Sequence, residues 1–312
     1  MVELRGIPKV MQAPIGPATT TDLVAAVSSA GGLGCLAASW TPLRRLREQL
    51  EDIKRSLDEP FCVNLVLAFD QAERLELLAE ERVPAISFSW GVDAAAIATA
   101  RAGGATVLVQ VADVPAARRA SEAGADVLIA QGMEAGGHVQ SRTALTELVR
   151  DLRAEVSLPI LAAGGIADAA AAADALETGA HGVAAGTAYL AASEADVHPV
   201  YRERILEADG ADTELTGLFD IGWPDAPHRV LRNDTFDAWA AAGCPAPPDR
   251  PGEGEPVANR GGRVVVRYSD EQPTRSTEGD IAAMALYAGL GVGRVARVED
   301  AAAITKRLLA AT

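Results

Sequence analysis

Apolar positions along this chain follow two alternating rhythms. Short, nearly continuous apolar runs recur at Val10–Ala13, Leu33–Ala38, Phe61–Leu67, Ala85–Trp90, Thr106–Val111, Asp126–Gln131, Pro159–Ala163 and Gly182–Gly186. Runs this short, bounded by turn residues, predict strands buried on both faces. Helical spacing fills the gaps, at Thr21–Ala30, Pro42–Leu57, Gln71–Glu81, Val92–Ala102, Val114–Ala123, Thr143–Ala154 and Ala169–Thr178. Gly31, Gly103, Gly124 and Gly179 stand just past helix ends and lead into the next apolar run. Glycine there accepts the backbone that stops a helix. Eight such strand–helix units over residues 1–208 predict an α/β chain folded as a (β/α)8 TIM barrel. A doubly wound open sheet is the alternative. It is disfavoured because no GxGxxG follows the first strand and the eightfold count suits closure.

After Glu207 the rhythm breaks. From about 209 to 275 the chain carries Pro224, Pro227, Pro245, Pro247, Pro248, Pro251, Pro256 and Pro273 with little periodicity. This predicts an irregular excursion, not a second core. Its aromatics, Phe219, Trp223, Phe236, Trp239 and Tyr268, predict packing onto the barrel, as a lid over its mouth or as simple cover. Helical spacing returns at Gly279–Leu290 and Glu299–Ala311, so residues 209–312 read as a cap whose C-terminal helices pack back on the barrel.

Charge narrows the chemistry. The 312 residues hold 28 basic and 43 acidic side chains, a formal charge of −15. An acid excess of this size argues against nucleic acid or an anionic membrane as partner, since both need clustered cations. The only lysines are Lys9, Lys54 and Lys306. None falls inside a strand of the barrel interior, which removes a Schiff-base lysine. Cys35, Cys62 and Cys244 lack the spacing of a metal site or disulfide framework. The start of the chain has no signal-peptide core and no run suits a membrane span, so a cytoplasmic protein is expected.

In such barrels the reacting groups sit at the C-terminal strand ends. There the sequence places Ala13, Asn64, Ser87, Ser89, Gln110 and Gln131, the stretch Met133-Glu134-Ala135-Gly136-Gly137-His138, and the pairs Gly164-Gly165 and Gly186-Thr187. Glycines after the seventh and eighth strands let backbone N–H groups hold a phosphate without lysine. Either pair alone is equally well a tight turn. His138, preceded by two glycines, is the candidate proton-handling group. His181 lies at the opposite end of the barrel, and His198 and His228 stand in polar, proline-containing contexts. No histidine has metal-ligand spacing, no GxSxG occurs, and a second strand-end carboxylate beside Glu134 is missing.

Gln12-Ala13-Pro14, Ala30-Gly31-Gly32-Leu33-Gly34, Val63-Asn64-Leu65, Gln131 to His138, Ala162-Ala163-Gly164-Gly165-Ile166 and Gly186-Thr187 together resemble the nitronate monooxygenase family. The resemblance runs from about residue 7 to 207 and resumes at Leu286-Tyr287-Ala288-Gly289. It implies an FMN-dependent enzyme that oxidises alkyl nitronates or nitroalkanes with O2 to a carbonyl compound and nitrite. By position it implies FMN contacts at Ala13, Asn64, Gln110, Gln131, Ala135, Gly136, Gly137, Gly164, Gly165, Gly186 and Thr187. It implies His138 as base or substrate-orienting group, and Ser87, Ser89 and Tyr287 beside the substrate. A homodimer is one admissible assembly.

Three positions depart from the family pattern. Gln140 replaces a glycine two places after the histidine, the fourth strand reads Ser87-Phe88-Ser89-Trp90-Gly91 without its usual histidine, and Leu290 replaces a glutamine after Ala288-Gly289. The nearest alternative is an FMN-dependent NAD(P)H enoyl-[acyl-carrier-protein] reductase, which shares the Glu-Ala-Gly-Gly-His motif. A further alternative is a non-catalytic flavin-binding barrel.

Overall fold

The computed structural model describes residues 6–312. Eight parallel strands form the central sheet: β1 (Val10–Gln12), β2 (Cys35–Ala37), β3 (Cys62–Val66), β4 (Ala85–Ser89), β5 (Thr106–Val111), β6 (Val127–Gln131), then, after the two-residue β7 (Gly137–His138), β8 (Ile160–Ala163) and β9 (Gly182–Ala185). The order β1-β9-β8-β6-β5-β4-β3-β2 leaves one seam between β1 and β2. A parallel bridge from Met11 to Leu33 closes it, with Leu33 N–H donating to Val10 O at 2.8 Å. The buried side chain of Gln12 adds to the seam, its Oε1 accepting the Cys35 N–H at 2.9 Å. The predicted barrel is therefore present and shut.

Helices α1 (Thr21–Ser29), α2 (Leu43–Ser56), α3 (Ala72–Glu80), α4 (Ala94–Ala102), α5 (Val114–Glu122), α6 (Leu145–Glu155) and α7 (Ala169–Glu177) ring the sheet. Asp93, Asp113 and Asp168 cap α4, α5 and α7 through side-chain bonds to free N–H groups, each cap contributing about 1 kcal/mol. Two short helices follow, α8 (Thr187–Leu190) and α9 (Pro199–Glu207).

Strand alternation sorts the interior into layers. Met11, Cys35, Cys62, Ala85, Leu108, Val127, Leu161 and Ala184 point inward and form a compact apolar plug. Two residues further along their strands, the same inward face presents Ala13, Asn64, Ser87, Gln110 and Ile129, and next Ser89 and Gln131. The plug excludes water below; the layers above it form a polar crown. Burial raises the Cys35 thiol well above its ordinary range, with Cys62 beside it adding to the effect. Both cysteines are packing residues.

The segment after residue 208 is more regular than its composition predicts. It forms β10 (Thr213–Thr216), β11 (His228–Leu231), α10 (Asp234–Ala241), β12 (Pro256–Arg260), β13 (Arg263–Val266), β14 (Thr277–Gly279) and α11 (Ala301–Leu309). β10, β11 and β7 make one antiparallel sheet, and β13, β12 and β14 a second. The expected helix at Gly279–Leu290 is not formed. That stretch instead holds the end of β14, a 3-10 turn at Ile281–Ala283 and extended backbone through Ala288. Gly279 at φ +129 and a bridge from Tyr287 to Val230 commit these residues to tertiary partners that helical spacing does not reveal. Among the described residues no helix is long and apolar enough to cross a membrane.

Candidate active site

All fifteen residues singled out from the sequence line one cavity of about 950 Å3 above the apolar plug. Its size lies at the upper end of the range for ligand pockets.

The crown is internally bonded. Asn64 Nδ2 donates to Ser87 O at 3.2 Å and Ser87 Oγ at 3.0 Å, and reaches Ser89 Oγ at 3.4 Å. Ser87 and Ser89 are nearly inaccessible and belong to the cavity floor. Gln131 spends both ends of its amide on the loop above. Its Nε2 donates to His138 O at 3.1 Å, and its Oε1 accepts the Gln140 N–H at 3.0 Å. Gln131 thus fixes the backbone on both sides of residue 139 and positions His138.

The glycines divide into two groups. Gly164 and Gly165 adopt φ of +128° and +69°, a region that penalises every other residue. The N–H groups of Gly165 and Ile166 have no acceptor among the described residues. With Gly186, where a Cβ would meet nothing closer than 3.5 Å, they leave an uncharged anion cradle at the ends of β8 and β9. That arrangement fits a flavin phosphate. Gly136 has a different reason to be glycine. A Cβ there would come within 2.5 Å of Gly289 N and 2.6 Å of the Ala288 carbonyl carbon. The close approach it permits is to the 288–289 backbone.

His138 is held on several sides. Its backbone pairs with β11, His228 opposite His138 and Arg229 opposite Gly137. Arg229 Nη2 donates to Met133 O at 3.0 Å, and Val139 N–H donates to Pro227 O at 2.7 Å. The Trp223 ring stacks on the imidazole with centroids 4.3 Å apart, and Trp90 and Tyr287 lie at 6.1 and 5.5 Å. His138 Nε2 is buried without a hydrogen-bond partner among the described residues. Burial pushes its pKa down to about 3, with a smaller contribution from His228. The imidazole is neutral throughout the physiological range.

Sequence reasoning did not place His228 here. Its imidazole is fully buried 5.3 Å from His138, with Nε2 accepting the Phe219 N–H at 3.1 Å and Nδ1 2.9 Å from Ala226 O. Those two bonds fix a neutral tautomer in the wall behind His138. Nothing in the local sequence signals this, because the β7–β11 pairing joins segments 90 residues apart. His181 and His198 behave as expected. His181 Nδ1 accepts the Ile160 N–H at the N-terminal end of β8, and His198 Nδ1 caps α9 at Val200. Glu134 is also structural, both carboxylate oxygens accepting the Leu145 N–H at the start of α6. Among the groups the cap adds to the cavity wall are Trp223, Asp270 and Gln272. Of these, only the tryptophan left a trace in the sequence, as one aromatic of an otherwise polar excursion.

Gln140 has a structural meaning. Its Oε1 accepts both the Trp90 N–H at 3.2 Å and Gln110 Nε2 at 3.1 Å. Trp90 has φ +58, a conformation uncommon outside glycine and costing on the order of 1 kcal/mol. The glutamine steadies that strained tryptophan beside His138.

A closed barrel with a polar crown, a lysine-free anion cradle and a buried histidine suits a flavin-dependent (β/α)8 oxidoreductase. Within that class the chain belongs to the nitronate monooxygenase family, whose model matches residues 1–73 and 67–311. Among similar proteins, a Mycobacterium tuberculosis 5-hydroxy-7a-methyl-1-oxo-octahydro-1H-indene-4-carboxyl-CoA dehydrogenase is 37% identical over 241 residues, 76% of this chain and 67% of the relative. FabK from Thermotoga maritima superposes with a TM-score of 0.82 at 30% identity, covering 98% of this chain and 93% of that one. A nitroalkane oxidase from Streptomyces ansochromogenes gives 0.78 at 29%, covering 97% and 95%.

Proposed function

We propose that the protein uses FMN to oxidise alkyl nitronates with O2, giving a carbonyl compound and nitrite. The observation that carries this reading is the neutral, partnerless His138 Nε2 in the cavity wall. An imidazole held uncharged can donate one hydrogen bond to an anionic nitro group, and it orients a nitronate better than it removes a proton. FMN, when bound, supplies the electron transfer and the oxygen chemistry. The Gly165 and Ile166 amides and the Gly186-Thr187 turn would hold its phosphate, and Asn64 and Gln110 the polar edge of its ring system. Trp223, Trp90 and Tyr287 keep water from the reacting region. Purified protein should consume oxygen and release nitrite with ethyl nitronate or propionate 3-nitronate, without NAD(P)H. The extracted cofactor should run as FMN. Absence of nitrite with both nitronates overturns the reading.

A second reading rests on the outer arm of the cavity. There Arg45, Arg260 and Arg263 gather around the mouth with Trp40, which is 57% exposed. Arg45 pairs with Glu48, and Glu271 with both Arg260 and Arg263, so the rim of this acidic protein carries a cluster of three guanidiniums. This suits a thioester with a phosphate-bearing arm, as either an acyl-CoA dehydrogenase or an NAD(P)H enoyl-thioester reductase would require. Flavin reduction by an acyl-CoA, or by NADPH followed by enoyl-thioester turnover, would favour it over the nitronate reading.

A further inference from the structure

Asp270 enters the cavity from the cap, between β13 and β14. Its main chain is fixed on two sides. Asp270 N–H donates to Ile221 O at 3.1 Å, and Asp270 O accepts the Tyr287 hydroxyl at 2.7 Å. The carboxylate lies over the Cα of Gly222, at φ +118, where any side chain would collide with it. The residue after that glycine is Trp223, which stacks on His138, and the Tyr287 ring lies 5.5 Å from the same imidazole. Asp270 is thus tied to two aromatic neighbours of His138, Trp223 and Tyr287. Its carboxylate has no ion-pair partner among the described residues, because Arg260 and Arg263 both close on Glu271 instead.

We propose that Asp270 is a catalytic base that removes the α-proton of a neutral nitroalkane, generating the nitronate inside the cavity. This rests on the nitronate reading for its substrate class. One carboxylate oxygen takes the proton of R2CH–NO2, and the C–H electron pair becomes the C=N bond of the nitronate. The carboxyl ends neutral and the negative charge moves to the nitro group. No oxidant is consumed, and the product is the anion His138 is suited to orient.

The environment supports this division of labour. Burial, followed by the charge of Glu271, raises Asp270 to about 6, so it is ionised near neutrality yet more basic than an ordinary carboxylate. The charged or titratable groups facing it are Glu271 on its own segment, Arg260 and Arg263 from the β12–β13 hairpin, and the Tyr287 phenol. His138, at about 3, is a far weaker base.

The test is proton exchange, read apart from oxidation. Anaerobic protein, with and without flavin, is mixed with nitroethane in D2O, and loss of the α-proton signal is followed by NMR. Wild-type protein should speed exchange above buffer, with a rate rising through a midpoint near pH 6. Asp270→Asn should lower the enzymatic rate about 100-fold. Glu271→Gln, which keeps the base but removes the adjacent charge and frees two guanidiniums, should move the midpoint down by about one unit. Exchange no faster than buffer, exchange undiminished in a folded Asp270→Asn variant, or an unmoved midpoint in Glu271→Gln each overturns the proposal. If exchange behaves as expected but no nitronate is oxidised, the base assignment stands and the nitronate reading falls.

Discussion

The Trp223 indole stacks on the His138 imidazole at 4.3 Å with 27° between the planes. One residue comes from the cap and the other from β7, so the surroundings of His138 exist only where the two meet. Phe69 at 5.1 Å and Trp40 at 6.0 Å extend the contact toward the cavity mouth. The indole covers one face of the imidazole, whose burial keeps the ring uncharged.

Trp223→Leu should therefore wet His138. The imidazole pKa should climb from about 3 toward its ordinary 6.5, since desolvation is the larger cause. Titration of the histidine ring signals by NMR reads this directly. Nitronate turnover should fall more through KM than through flavin loss, because the indole supplies none of the N–H groups of the cradle at Gly164 to Ile166. An unmoved His138 titration would show that another group keeps it dry.

Gln140 makes a separate prediction through Trp90. Gln140→Gly removes the acceptor shared by the Trp90 N–H and Gln110 Nε2. Unpairing those donors should cost about 1–2 kcal/mol of stability. In the double variant Gln140→Gly, Trp90→Gly the loss should be partly regained, because glycine adopts φ +58 without strain. Denaturant melts of wild type, the two single variants and the double variant measure both effects. Simple additivity would argue that Gln140 does not hold Trp90.

The barrel was legible because its signal is local. Period-two alternation alone places Cys62 and Asn64, or Ala85 and Ser87, on one inward face, and the strand ends follow from it. The loop from Gln131 to His138 was legible as a motif. What each residue does there was less so. Gly136 is glycine because Ala288 and Gly289 press on it, a contact across more than 150 residues. Cap strands of three to five residues carry too few positions for a pattern, and their pairing is set by partners such as β7. His228, Asp270 and the extended backbone of residues 284–288 were hidden for that reason. Each is defined by what the chain folds against.

Gly136→Ala tests that packing. With Gly289 N and the Ala288 carbonyl carbon at 2.5 and 2.6 Å from the new methyl, backbone must move on one side or the other. Overpacking of this kind costs about 1–3 kcal/mol. The displaced loop carries His138, so nitronate turnover should fall with stability. Gly137→Ala, by contrast, meets no atom within 4 Å and is penalised only through φ +74, at about 1 kcal/mol. Equal losses for the two variants would remove the 288–289 contact as the reason for Gly136.

The buried neutral His138 also sets a pH dependence of stability. In the unfolded chain the imidazole takes a proton near 6.5, whereas in the folded protein it resists until about 3. Between those values the unfolded state binds more protons, so stability is complete above pH 6.5 and is lost as pH falls. The slope approaches about 1.4 kcal/mol per pH unit. His138→Asn fills the site with a group that does not titrate and should lack this component. His228 and Asp270 titrate in both proteins and largely cancel in the comparison. At saturating flavin, the stability of wild type relative to His138→Asn should drop by about 2 kcal/mol between about pH 6.5 and 4.5. A gap that stays constant over that range would mean His138 is already charged in the fold, and the hydrogen-bond geometry assigned to it with the nitronate would have to be that of an imidazolium.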